Sequence, residues 1–338
     1  MDLDIIQDIR EMMHGLAEKK QRKDTVAIIQ SVLFKQMALL IYKATQNPKK
    51  RKIKEITVKD IIFILKNNKN TLIRMLRVYL LKGSMHKFTS VTSMDKPELE
   101  DIEESKPKKQ KLSNSDVNVF DSAIEITEAT ADYEFSDTPG FDLISSWAAN
   151  NTQNDECGSN KKPNIYKSIT ETIKEFKIDV DLTKEEDVRN ATDPRKIKAD
   201  KLAILLSPTA YECFQICRTR TFHNKKGELL LNKVQKALPF VVRYNLQAED
   251  VFLYLAKETI ATLIDRVHQN RKKILSNEEE TQKCPETLNP NNTKVKQLPI
   301  TVDEITDITT AVWKRPLDCI QIPFTENDEF FNSDLIFD

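Results

Sequence analysis

Glycine is nearly absent from this chain, with five in 338 residues. No GxGxxG or Walker-type loop can be assembled from them, so the backbone cradles that hold nucleotide phosphates are excluded. Four histidines, His14, His86, His223 and His268, are scattered without an HExxH pair, and no serine or cysteine sits in a nucleophile motif. The five cysteines (157, 213, 217, 284 and 319) are odd in number, and none forms a CxxC. Neither a disulfide framework nor a zinc knuckle is expected, and reduced thiols in the cytosol or nucleus fit better. Cys213 and Cys217, four residues apart, are expected as a packed core pair rather than a redox or metal site. Grouped acids such as Asp101, Glu103 and Glu104 fall in a stretch with nothing to hold them at catalytic distance. The reading is therefore of a protein that is not an enzyme and implies no cofactor, metal or small-molecule substrate. No apolar run approaches 18 residues and acids lie within the first four positions, so neither a signal peptide nor a membrane span is expected.

Charge of one sign is missing regionally rather than globally. Lysine plus arginine and aspartate plus glutamate are 52 each, yet residues 1–90 hold 19 basic and 8 acidic side chains, and residues 91–156 hold 5 and 16. The hydrophobic fraction of 39% is below the roughly 45–50% of an average globular chain. Residues 84–162 account for much of the deficit. Their polar, acidic composition, as in "KPELEDIEESKPKKQKLSNSD", cannot offset chain entropy by burial and reads as a flexible linker. Within it, Phe135, Phe141, Leu143, Ile144 and Trp147 make a cluster too small to fold alone, fit either to lie on the protein's own surface or to dock a partner.

What is present is helical periodicity. Ile5, Ile9 and Met12 or Met13 mark a short helix that stops near Gly15. From Asp24 to Gln46, Val26, Ile29, Leu33, Met37, Leu40 and Ala44 recur at three- and four-residue steps, a helix of about six turns. Thr57 with Asp60 then resembles a capping box ahead of Ile61, Ile62, Ile64 and Leu65, and a further helix over 70–82 carries Leu72, Met75, Leu76, Tyr79 and Leu80.

The second half repeats the order. Residues 163–207 read as a helical connector. Tyr211, Phe214, Cys217 or Arg218, and Phe222 share a face over 208–222, and Val251, Leu255, Ile260, Leu263, Ile264 and Val267 line a long helix over 247–273. After a loop over 276–299, Thr301 and Glu304 form a full capping box in "PITVDEITDITTAVW", which echoes "EITVKDIIFIL". The chain reads as a diverged internal duplication. A long helix crossed by two short ones keeps an apolar face that three helices cannot cover, so each unit needs the other as its missing wall.

Short, long, short is the plan of the histone fold. "ITVKDIIFILKNNKNTLIRMLRVYL" resembles the histone-fold family of the eighteen-kilodalton TFIID subunit, while "YECFQICRTRTF" and "EDVFLYLAKETIATLIDRV" resemble the partner half of that pair. Both halves on one chain resemble the Spt-three family of the SAGA coactivator complex. The resemblance implies an all-α protein of two histone folds in one chain, paired intramolecularly through Ile29, Leu33, Met37 and Leu40 on one side and Leu255, Ile260, Leu263 and Val267 on the other. The implied divisions are a first fold over 1–83, the linker 84–162, the connector 163–207, a second fold over 208–315 and a C-terminal tail over 316–338. The implied function is a non-enzymatic nuclear coactivator subunit that engages TATA-binding protein, with other SAGA-type subunits as neighbours. Glu258 aligns with an acid recurring in the family's second long helix and is expected on an acidic surface near the TATA-binding-protein contact.

Two basic runs remain. "NPKKRKIKEITVKDIIFIL" places Pro48–Lys54 in the loop between the long helix and the third, while "KPKKQKL" lies in the linker, free to extend. The nuclear address is assigned mainly to Lys108, Lys109 and Lys111, with Lys49, Lys50, Arg51 and Lys52 as the second possibility. The alternative function is a TFIID-like or histone-like nuclear protein whose basic loop touches DNA phosphates directly, a contact expected to be weak beside the acidic linker.

Overall fold

In a computed structural model of the chain, the described residues are 3–92 (apart from 17, 19 and 52–54), 165–178, 194–281 (apart from 223 and 224) and 298–337 (apart from 326 and 327). Among them the chain is all-α. The helices in order are α1 (Leu3–Gly15), α2 (Lys23–Arg51), α3 (Val58–Leu65), α4 (Lys69–Thr92), α5 (Ile165–Glu175), α6 (Pro194–Ile204), α7 (Pro208–Thr219), α8 (Lys225–Ala237), α9 (Leu246–Thr281) and α10 (Val302–Trp313), followed by two single-turn 3-10 segments.

The local signals that start these helices are polar caps. Asp60 accepts from both the backbone N–H and the hydroxyl of Thr57 at 2.9 Å, so the shorter aspartate serves at the start of α3. At α10 the box is reciprocal: Glu304 accepts from the Thr301 N–H at 2.9 Å, and Thr301 Oγ1 accepts from the Glu304 N–H at 3.3 Å. Asn245 Oδ1 accepts from the Ala248 N–H at 2.8 Å to open α9, and Ser207 followed by Pro208 opens α7.

The two long helices lie at the centre. α2 packs on α9, α10, α8 and α1, and α1 packs on α7. One continuous core takes residues from both halves of the chain. α2 and α9 run so that the end of one lies by the start of the other. After α2, the Ile56 N–H donates to Arg243 O at 2.8 Å and Ile56 O accepts from the Asn245 N–H at 3.1 Å, a single parallel bridge between Ile56 and Tyr244 just before α9. At the opposite end, buried Thr25 near the start of α2 donates its hydroxyl to Ile300 O, just before α10, at 2.7 Å. α5 folds back across α3 and α4, burying Ile169 and Ile173.

Several sequence expectations are corrected. Pro48–Arg51 is not loop: the backbone of α2 stays helical through Lys49, Lys50 and Arg51, because lysine and arginine are good helix formers and their charge suits a helix C-terminus. α4 runs to Thr92 rather than 82, and α9 to Thr281, past the expected start of the loop at 276. The short helix directly before the second long one is α8, not the 208–222 helix. Its Leu230, Leu231 and Val234 are buried, and α7 is an added helix that covers α1. The Lys23–Gln46 part of α2 has the length and composition of a membrane span, although none was expected. Most of that stretch is buried inside the molecule, as a core helix is.

The C-terminal residues were expected only as a tail. They form a packed strap over α2 and α10: Leu317, Ile320, Phe324, Phe330, Phe331, Ile336 and Phe337 are all buried. Phe331 stacks on Tyr42 of α2 with ring centroids 3.9 Å apart, and Trp313 meets Phe330 edge-on at 5.2 Å. Lys35 donates to Leu317 O at 2.7 Å and Lys43 to Ser333 O at 2.5 Å, so two cations of α2 satisfy the strap's backbone. Burial lowers the affinity of both lysines for their protons, partly offset by Asp318 and Asp334 respectively.

Candidate functional site

The residues expected to pair the two units lie in the shared core. Ile29, Leu33, Met37 and Leu40 on α2, and Leu255, Ile260, Leu263 and Val267 on α9, are each at most 1% exposed. α2 and α9 also carry polar groups into the interior, and those on α9 gather into one charged site.

At its centre is Glu258. The sequence placed it on an acidic surface; it is instead buried at 4% exposure, because arginines from two other helices converge on it. Arg74 of α4 donates through Nε to Oε1 at 2.7 Å, and Arg195 of α6 donates through Nη1 to Oε2 at 2.8 Å. Arg195 also donates through Nε to Asp265 Oδ2 at 2.5 Å, one turn pair further along α9. Burial disfavours the Arg195 charge, but Glu258 and then Asp265 outweigh it and hold the guanidinium firmly protonated. A buried carboxylate held by two arginines anchors the helices that carry them.

A second charged group continues the strip. Glu18, in the turn between α1 and α2, is 1% exposed and lies 2.5 Å from His268 Nε2 of α9. Lys198 of α6 lies 3.1 Å from the same nitrogen and 3.9 Å from Glu18. Next to Glu258 on α9, half-buried Lys257 caps the end of α7, donating to Arg218 O at 2.9 Å and Arg220 O at 2.8 Å. Burial, with the Arg218 charge adding to it, lowers this ammonium to a pKa of about 8. Arg220 in turn pairs with Glu11, and with Asp8 at 3.4 Å, locking α7 to α1.

Cys213 and Cys217 face each other on α7. The hydrogen bond between them lowers the Cys213 thiol to a pKa of about 7 and raises that of Cys217, with burial of Cys217 acting in the same sense. Among the described residues no group of three or more His, Cys, Asp or Glu side chains could hold a metal ion.

Of the basic runs, Lys49, Lys50 and Arg51 lie in the last turn of α2, whereas Lys52, Lys108, Lys109 and Lys111 lie outside the described residues, as does the cluster Phe135–Trp147. The sequence reading missed Arg74 and Arg195. Neither stands in a motif, and only the packing of α4 and α6 on α9 brings them to one carboxylate. A signal was present in Glu258 itself, an acid whose helix-face neighbours Leu255, Ala261 and Thr262 make a face too apolar for a free charge.

Residues 4–90 match the family model described as transcription initiation factor IID, 18kD subunit. No curated protein and no solved structure matches the chain. The first unit is thus similar to a histone-fold family of transcription initiation factors. That similarity supports a role in transcription initiation, in association with other subunits and in the nucleus, of a kind that is typically not enzymatic.

Proposed function

We propose that the chain is an intramolecular pair of histone folds, of the Spt-three kind, serving as a non-enzymatic subunit of a nuclear SAGA-type coactivator that engages TATA-binding protein. The observation that carries the reading is the combination on one polypeptide of a TFIID-type unit over 4–90 with a second helical unit packed against it in the same core. In the Spt-three kind the partner fold is not recruited but encoded, and the packing of α2 on α9 supports that reading. The divisions at 162, 207 and 315 serve as the working domain map, with the first unit carried to the end of α4 at Thr92 and the packed strap after α10 as part of the body. Glu258 enters as the buried anchor of the proposed partner face around Asp265, since a carboxylate closed between two arginines offers a partner no free edge.

The test is co-purification of the tagged full-length protein from nuclear extract, followed by capture of purified TATA-binding protein. Recovery of coactivator subunits together with direct capture supports the reading; a set without other SAGA-type subunits overturns it. Titrating salt against an arbitrary DNA duplex separates the rival. Steep salt dependence abolished by charge reversal at Lys49, Lys50, Arg51 and Lys52 would mark a DNA-binding protein instead.

A further inference from the structure

The short helix α6 (Pro194–Ile204) is docked in an unusual manner. Of its eleven residues only Ala199 is buried, while Ile197 and Ile204 are 44% and 67% exposed. Its larger apolar side chains Ile197 and Ile204 turn outward, Leu202 is only half-buried, and the charged Arg195, Lys198 and Asp200 turn toward the body. Three of its side chains make polar contacts with the body: Arg195 to Glu258 and Asp265 of α9, Lys198 to Glu18 and within 3.1 Å of His268 Nε2, and Asp200 to Arg218 of α7 at 3.4 Å. A helix of this length is marginal in water by itself, so its helicity depends on that docking.

The body is arranged so that α6 can leave without orphaning a buried charge. Glu258 retains Arg74, Glu18 retains His268, and Asp265, with its side chain 34% exposed, can return to water. Arg218 lies over the ring of Phe214, 5.8 Å from its centroid, and so also keeps a neighbour. Breaking a buried ion pair is costly when the remaining partner is left unpaired, and here each acid beneath α6 has a second partner or solvent.

We infer that α6 is an electrostatic latch: an element held on α9 by charge rather than by apolar burial, which detaches as a unit while the two-unit core stays folded. Its release bares the strip of Glu258 and Asp265 on α9, and closure covers it. This inference goes beyond the proposed partner and does not depend on it, because the latch is read with no partner present.

Hydrogen exchange of the full-length protein tests it. In low salt the amides of 198–204, which follow the unpaired N–H groups of the first turn, are expected to be protected. Raising NaCl to about 1 M, where screening acts over about 3 Å, is expected to speed their exchange by about tenfold or more while amides of 250–268 keep theirs. The double substitution Arg195→Ala with Lys198→Ala is expected to do the same at low salt. An α6 that responds to only one of these changes or to neither, or whose release carries the α9 amides with it, overturns the inference.

Discussion

At the scale of single residues, the polar groups inside this molecule are placed as helix anchors. Lys257 is the clearest case, because its charge is kept in a half-buried position to hold the Arg218 and Arg220 carbonyls at the end of α7. Its folded pKa of about 8 is below the ordinary 10.5. Between those values the unfolded chain binds the proton that the folded one has given up. The cost of burying the charge is therefore complete below about pH 8 and vanishes above about pH 10.5, so stability rises with pH across that window. Relative to a Lys257→Met variant, the native protein should gain up to on the order of 3 kcal/mol over it. Urea denaturation of both proteins at several pH values checks this, and parallel pH profiles would contradict it.

Between helices, close approach is decided by what is missing. A Cβ on Gly15 would come within 2.6 Å of Cys217 O and 2.7 Å of the Arg218 backbone nitrogen. α1 and α7 touch at backbone distance there. Alanine favours a helix over glycine by up to about 1 kcal/mol, yet Gly15→Ala should destabilise by about 1–3 kcal/mol, because α7 has to move outward. A thermal melt of the variant reads the sign directly. The elements themselves were largely legible. The periodicity of Ile29, Leu33, Met37 and Leu40 announces α2, and the Thr301–Glu304 box announces α10. Their ends were less so, since Lys49–Arg51 and Ser276–Thr281 are polar stretches that helix and loop accommodate about equally. The strap was not legible at all. Pro316 and Pro323 break any period, and only the surface of α2 and α10 gives Phe324, Phe330 and Phe331 somewhere to be buried.

For the molecule as a whole, the central helices share one core, so neither half carries a finished one. A fragment of residues 1–92 leaves α2 without α9, α10 and the strap. It should be molten or aggregated when expressed alone, and should acquire a cooperative transition when residues 163–338 are supplied in trans. Circular dichroism melts and sedimentation of the fragment, alone and mixed, measure this. A monodisperse 1–92 with a sharp melt of its own would refute the account. By itself the sequence determined the all-α class, the two long helices, their apolar faces and the lack of chemistry-bearing motifs, because these follow from spacing and residue type within a few turns of chain. Only the tertiary structure decided that Glu258 is buried between Arg74 and Arg195, that α8 rather than α7 precedes the second long helix in the core, and that the apolar residues of the strap, from Leu317 to Phe337, complete it. Each of those depends on groups far apart in the chain whose meeting leaves no local periodicity, so no window of the sequence contains it.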